Sequence, residues 1–96
     1  METTVSVDGF EVRIRSLTWG EKEKLREEGI DLADLDETML IKDMDALVSR
    51  VITPVVLDAD VLADMDIISV YRLFYEVVQF SFLGENEAKN SDGPQP

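Results

Sequence analysis

Apolar and polar positions alternate residue by residue across "TVSVDGFEVRIR", Thr4 to Arg15, with Asp8-Gly9 at the centre. A period of two belongs to a strand with one covered face. Asp-Gly is the strongest short-range hairpin signal, because a type I′ turn needs positive φ at both central positions. A two-residue loop pairs Val7 with Phe10, Val5 with Val12, and Thr3 with Ile14. The large apolar side chains then share one face, and Ser6, Glu11, Arg13 and Arg15 share the other. A lone hairpin is marginal in water. Its apolar face therefore needs a cover. Either the chain's own helices supply it, or the hairpin edge adds to a neighbouring subunit's sheet.

The period then lengthens to that of a helix. In "SLTWGEKEKLREEGI", Thr18 with Glu21 three residues on predicts a capping box. A short helix should run from Trp19 to Glu28, with Gly29 free to take the left-handed conformation after it. Trp19 and Leu25 are its main apolar residues. Trp19 reads either as a structural residue at the strand–helix junction or as an interface anchor. The stretch "DLADLD", residues 31–36, predicts a loop tacked to the core by Leu32 and Leu35. A second helix is expected from Glu37 to Ile52. There Leu40, Ile41, Met44, Leu47, Val48, Val51 and Ile52 fill an arc of roughly 140° at about 100° per residue. Pro54 should stop it, because proline disfavours α geometry in the residue before it. "PVVL" is expected to be extended or irregular.

A third helical region begins near Asp58 or Asp60 and breaks or bends near Asp64-Met65-Asp66. From Ile67 to Phe82 its apolar arc covers roughly 240°, where a surface helix needs little more than about 100°. Either this helix is central, between the hairpin and the second helix, or part of the arc meets another chain. Phe74 and Val78 lie mid-arc and should be core. Ile68, Tyr75 and Phe82 lie at one edge and, with Trp19, are the candidate partner-binding residues. Gly84 is a helix stop, and 85–96, "ENEAKNSDGPQP", reads as a flexible polar tail. The expected fold is α+β: one domain over 1–84, an N-terminal β-hairpin packed on about three α-helices.

Composition narrows the chemistry. A chain of 96 residues suits one domain. Cys is absent, which removes disulfides and thiolate metal sites and suits the cytosol. His is absent too, and with it the commonest general base and transition-metal ligand. The formal net charge of −12 disfavours nucleic acid and anionic membranes and favours partners with basic surfaces. Met1-Glu2-Thr3-Thr4 does not begin a secretory signal. Arg72, Glu76 and Gln79 interrupt the run from Ile67 to Leu83, so it is not a membrane span. Asp58, Asp60, Asp64 and Asp66 imitate a calcium loop, but Ala63 stands where it needs Gly and Ser69 where it needs Glu. They read better as caps and solvated charge. With no phosphate loop and no activated nucleophile, no catalytic residue, cofactor or metal is expected. Residues 31–66 carry ten acidic and two basic side chains. They form either a solvated face or a docking surface for a basic partner.

The order of these elements resembles the small tail assembly chaperones of long-tailed bacteriophages. The similarity lies in a short N-terminal hairpin ending in Arg15-Ser16-Leu17-Thr18, a polar helix opening with Glu21, and a C-terminal helix ending in Phe80-Ser81-Phe82. Glu87-Ala88-Lys89-Asn90 follow in the tail. The resemblance spans nearly the whole chain. It implies a non-catalytic chaperone that coats the helical tape measure protein and helps tail tube protein assemble around it in the bacterial host cytoplasm. It also implies self-association and a longer frameshifted form sharing this domain. The alternatives are a phage tail or other virion structural protein, such as a completion or terminator component, and a small acidic inhibitor or nucleic-acid mimic.

Overall fold

Asp8 and Gly9 both take positive φ, 51° and 88°, and so close a type I′ turn between β1 (Glu2–Val7) and β2 (Phe10–Arg15). The register is the expected one, with Val7 opposite Phe10, Val5 opposite Val12 and Thr3 opposite Ile14. Val7, Val12 and Ile14 are buried; Ser6, Glu11 and Arg13 face solvent. In this computed structural model, which describes residues 1–35 and 38–90, four helices follow: α1 (Trp19–Glu27), α2 (Ile41–Val55), α3 (Ala59–Asp64) and α4 (Ile67–Asn90). The fold is α+β, a two-stranded antiparallel sheet followed by helices.

The capping box forms as the sequence predicts. Glu21 N–H donates to Thr18 Oγ1 at 3.1 Å, and Thr18 N–H donates to Glu21 Oε1 at 2.9 Å. The other end of α1 closes as a Schellman motif: Ile30 N–H reaches Leu25 O and Gly29 N–H reaches Arg26 O, both at 3.0 Å, with Gly29 at φ 88°. Leu32 is buried and Leu35 packs partly against the core, as a tacked loop requires.

α2 departs from expectation at both ends. Leu40 is extended (φ −63°, ψ 148°) and the helix starts at Ile41; the expected start at Glu37, like Asp36, lies outside the described residues. Leu40 and Ile41 do not join the core, and Ile41 is 83% exposed. The buried stripe is Leu47, Val48, Val51, Ile52 and Val55, so the first turn runs past the body it would pack on. Pro54 does not stop α2, which continues to Val55. In the last turn Pro54 removes only one intrahelical donor, and Val56 N–H still reaches Ile52 O at 3.0 Å. Full burial of Val55 contributes about 1.5–3 kcal/mol, comparable to the cost of about 3 kcal/mol for a helical proline. Val56 then bridges Ile14. Leu57 N–H donates to Arg13 O at 2.9 Å, so the end of "PVVL" lies against β2 as a rudimentary third strand.

α4 is the central element. Leu73, Phe74, Val77 and Phe80 are buried between the hairpin on one side and α2 on the other, while Val78 is half-buried. Two serines pin the hairpin along it. Ser69 Oγ donates to Asp8 Oδ2 at 2.6 Å, and Ser81 Oγ accepts from Leu17 N–H at 2.9 Å. Gly84, at φ 82° and ψ 166°, breaks the helix as expected. Of the expected tail, residues 85–90 return to helical backbone after that break, and residues 91–96 lie outside the described residues.

Two outcomes follow for stability. Phe74→Ala should cost about 3–5 kcal/mol, because the ring is fully buried at the centre of the core; urea unfolding monitored by circular dichroism measures it. Acid should also destabilise the fold. The Arg15 guanidinium holds the Glu21 carboxyl at about 2, below its ordinary value of 4.5. Asp8, Asp58 and Glu28 are lowered in the same sense, first by Ser69, Arg13 and Arg50 respectively. A lowered folded pKa stabilises above the unfolded value, and that contribution is lost as pH falls through the folded one. Unfolding midpoints should therefore fall from pH 4.5 towards pH 2. Glu21→Gln, which keeps a capping side chain, should reduce the slope. Relief of the −12 net charge acts the other way, and the comparison with the variant separates the two.

Candidate interaction surface

The part of α4 that faces away from the core carries Ile68, Tyr75 and Phe82, which are 60, 51 and 45% exposed. Seven residues fall about 20° short of two helical turns, so these side chains stand nearly in line along the helix. Arg72 and Gln79 are exposed beside them. On one side the stripe borders β1, where Ser6, Val7 and Asp8 face Arg72, Tyr75 and Gln79 across an open groove of about 370 Å³. On its other side is α2, and the Tyr71 hydroxyl between them has its pKa raised by burial and by Asp45. The Tyr75 ring meets Phe74 edge to face, centroids 5.3 Å apart, so a core residue steadies an exposed one.

Trp19 opens α1 and is 73% exposed. Its ring is not packed into the core. Lys22 Nζ lies 3.5 Å from the centre of its ring, one turn along, in a cation–π contact. Trp19 and Phe82 line the same cleft of about 240 Å³, with Leu17 and Ser81 also in its wall. The Leu17–Ser81 hydrogen bond holds the start of α1 against this end of α4. Of the four candidate residues, then, Trp19 and Phe82 are brought together, while Tyr75 and Ile68 lie progressively further along α4.

A polar cluster fixes the opposite end of the stripe. Arg72 Nη1 donates to both Asp8 oxygens at 2.8 and 2.9 Å. Together with Ser69, it keeps the Asp8 carboxyl below its usual range. Sequence reasoning missed this cluster, since its members are more than sixty positions apart. The nearest signal was an Asp in a turn that otherwise asks for any left-handed residue. Ile67 and Leu83 also proved exposed; the wide arc at the two helix ends was their only sign.

The surface presents apolar side chains for contact. Among the described residues no three His, Cys, Asp or Glu side chains converge as a metal site, and no helix is long and apolar enough to cross a membrane. Comparison with protein-family models, curated proteins and solved structures found no match.

Tyr75→Ala should leave folding stability within about 1 kcal/mol, as for an exposed site, against the large loss for Phe74→Ala. Trp19 is the sole tryptophan, so its emission should be that of a wet indole, freely quenched by acrylamide. A blue, protected emission from the isolated chain would contradict its placement.

Proposed function

We propose that this chain is a non-catalytic tail assembly chaperone of a long-tailed bacteriophage, acting in the bacterial host cytoplasm. Its client is the tape measure protein, whose amphipathic helices it covers until tail tube protein assembles around them. The supporting observation is the exposed line of Ile68, Tyr75 and Phe82, reaching Trp19 across one cleft. A helix with apolar residues at matching intervals can lay its stripe along this line. Residues 67–84 of α4 carry one Arg and one Glu and are formally neutral, whereas the whole chain is at −12. Apolar contact is thus offered on the neutral part. The acidic remainder attracts basic client segments and keeps loaded complexes apart.

Co-expression with a phage tape measure protein tests this reading. The client should stay soluble and co-purify with the chain. Trp19→Ala combined with Phe82→Ala should lower recovery by about tenfold or more without changing the circular dichroism of the free chain. Higher salt should slow association rather than abolish it. Recovery of the chain from finished particles, with no effect on client solubility, would instead favour a virion structural protein.

A further inference from the structure

The two edges of the sheet are treated differently. On β2, Arg13 points outward: its carbonyl accepts from Leu57 N–H at 2.9 Å, and its own N–H donates to Asp58 Oδ2 at 2.9 Å. The Arg13 guanidinium adds two hydrogen bonds to the same carboxylate, so the middle of that edge is occupied. Arg13 stands opposite Thr4. In an antiparallel pair, opposite residues point their backbone groups the same way, both inward or both outward. The backbone N–H and C=O of Thr4 therefore project from the outer edge of β1, as do those of Glu2 and Ser6 two positions either side. Thr4 and Ser6 have no hydrogen-bond partner for these groups among the described residues. β1 has a regular register without a bulge, and no Pro or Lys. These are the devices that usually block strand addition.

We infer that two copies of this chain pair β1 to β1 in antiparallel register centred on Thr4, making a four-stranded sheet over two antiparallel α4 helices. The side chains are complementary under that two-fold. Thr4 meets Thr4, and Glu2 meets Ser6 of the second copy, so no like charges oppose. The helices share the same centre. The hairpin turn is pinned at Ser69 through Asp8, and its open end at Ser81 through Leu17. Midway between those serines is Tyr75, and midway along β1 is Thr4. Tyr75 then faces Tyr75, and Ile68 faces Phe82 of the second copy. The dimensions agree. Four strands span about 19 Å, which accommodates two helices at the usual separation of about 10 Å.

Charge favours a second copy over a basic partner here, since β1 carries only Glu2 and residues 67–84 are formally neutral. A basic segment would be drawn to residues 31–66 instead. The capped β2 edge ends growth at four strands and closes the assembly as a dimer. The contact covers the line of residues assigned above to a helical client, so second copy and client compete. The dimer itself stands whether or not that client is the right one.

Sedimentation of the full chain over a wide concentration range should show a reversible monomer–dimer equilibrium. Thr4 and Ser6 side chains are exposed, so their substitution leaves the core untouched. Thr4→Lys places two ammonium groups opposite each other and should raise the dimer Kd by about tenfold or more. Ser6→Lys faces Glu2 and should leave the Kd unchanged or lower it. Thr4→Cys, in a chain that has no other Cys, should cross-link under mild oxidation, because opposed residues of a hydrogen-bonded pair stand about 5.5 Å apart at Cα. Glu11→Cys on β2 should not. A strict monomer overturns the inference. So does a dimer insensitive to Thr4→Lys, or equal cross-linking through Glu11→Cys.

Discussion

A two-stranded sheet has one apolar face, no second layer of its own, and too few strands to stand alone in water. Everything else in this molecule follows from how that face is covered. α4 supplies the cover, and the hairpin is fastened to it at both ends, through Ser69 to Asp8 and through Ser81 to Leu17. Ser69 is itself buried, so its hydroxyl must be satisfied there, and the Asp8 carboxylate does so at the turn. Two fixed ends leave the sheet no freedom to slide along the helix. The buried faces of Val12, Ile14, Leu73 and Val77 are thereby held in one register.

The same arrangement accounts for what is left uncovered. A two-stranded sheet about 10 Å wide covers about one helix diameter. α2 takes a second sector of α4 through Val48 and Ile52, whose cleft it shares with Val70 and Tyr71. No described element lies over the remaining sector, where Ile68, Tyr75 and Phe82 stand. Exposure of three large apolar side chains on a 96-residue chain is thus a consequence of sheet width. The proposed client and the proposed second copy are two ways of closing the same gap.

Electrostatics divides the molecule along similar lines. The acidic residues concentrate in α1, α2, α3 and their connections, and several are used as local clamps: Glu21 with Arg15, Asp58 with Arg13, Glu28 with Arg50. These pairs are partly solvated and contribute modestly. Their effect is to anchor connections: α1 to the end of β2, the α2–α3 link to the edge of β2, and the end of α1 to α2. The unpaired excess of negative charge remains on the surface, where it keeps a chain with an apolar stripe dispersed.

Local patterns were decisive wherever the physics is local. The hairpin register followed from Asp8-Gly9 and strict alternation, the start of α1 from Thr18 and Glu21, and its end from Gly29. Each depends on residues within a few positions of one another. The bend before Ile67 and the break at Gly84 were legible for the same reason. Periodicity also separated core from edge on α4, placing Phe74 inside and Tyr75 outside. It failed at Leu40 and Ile41, because a wheel gives the direction of a side chain but not whether anything lies in that direction. It failed at Pro54, where burial of Val55 offset a local preference. Only the tertiary structure decided that Val56 and Leu57 would close the β2 edge and leave β1 open. Nor could the sequence by itself have joined Asp8 to Ser69 and Arg72, or Trp19 to Phe82. Those pairings join positions about sixty residues apart, and they exist only after α4 has crossed the hairpin and fixed their distances.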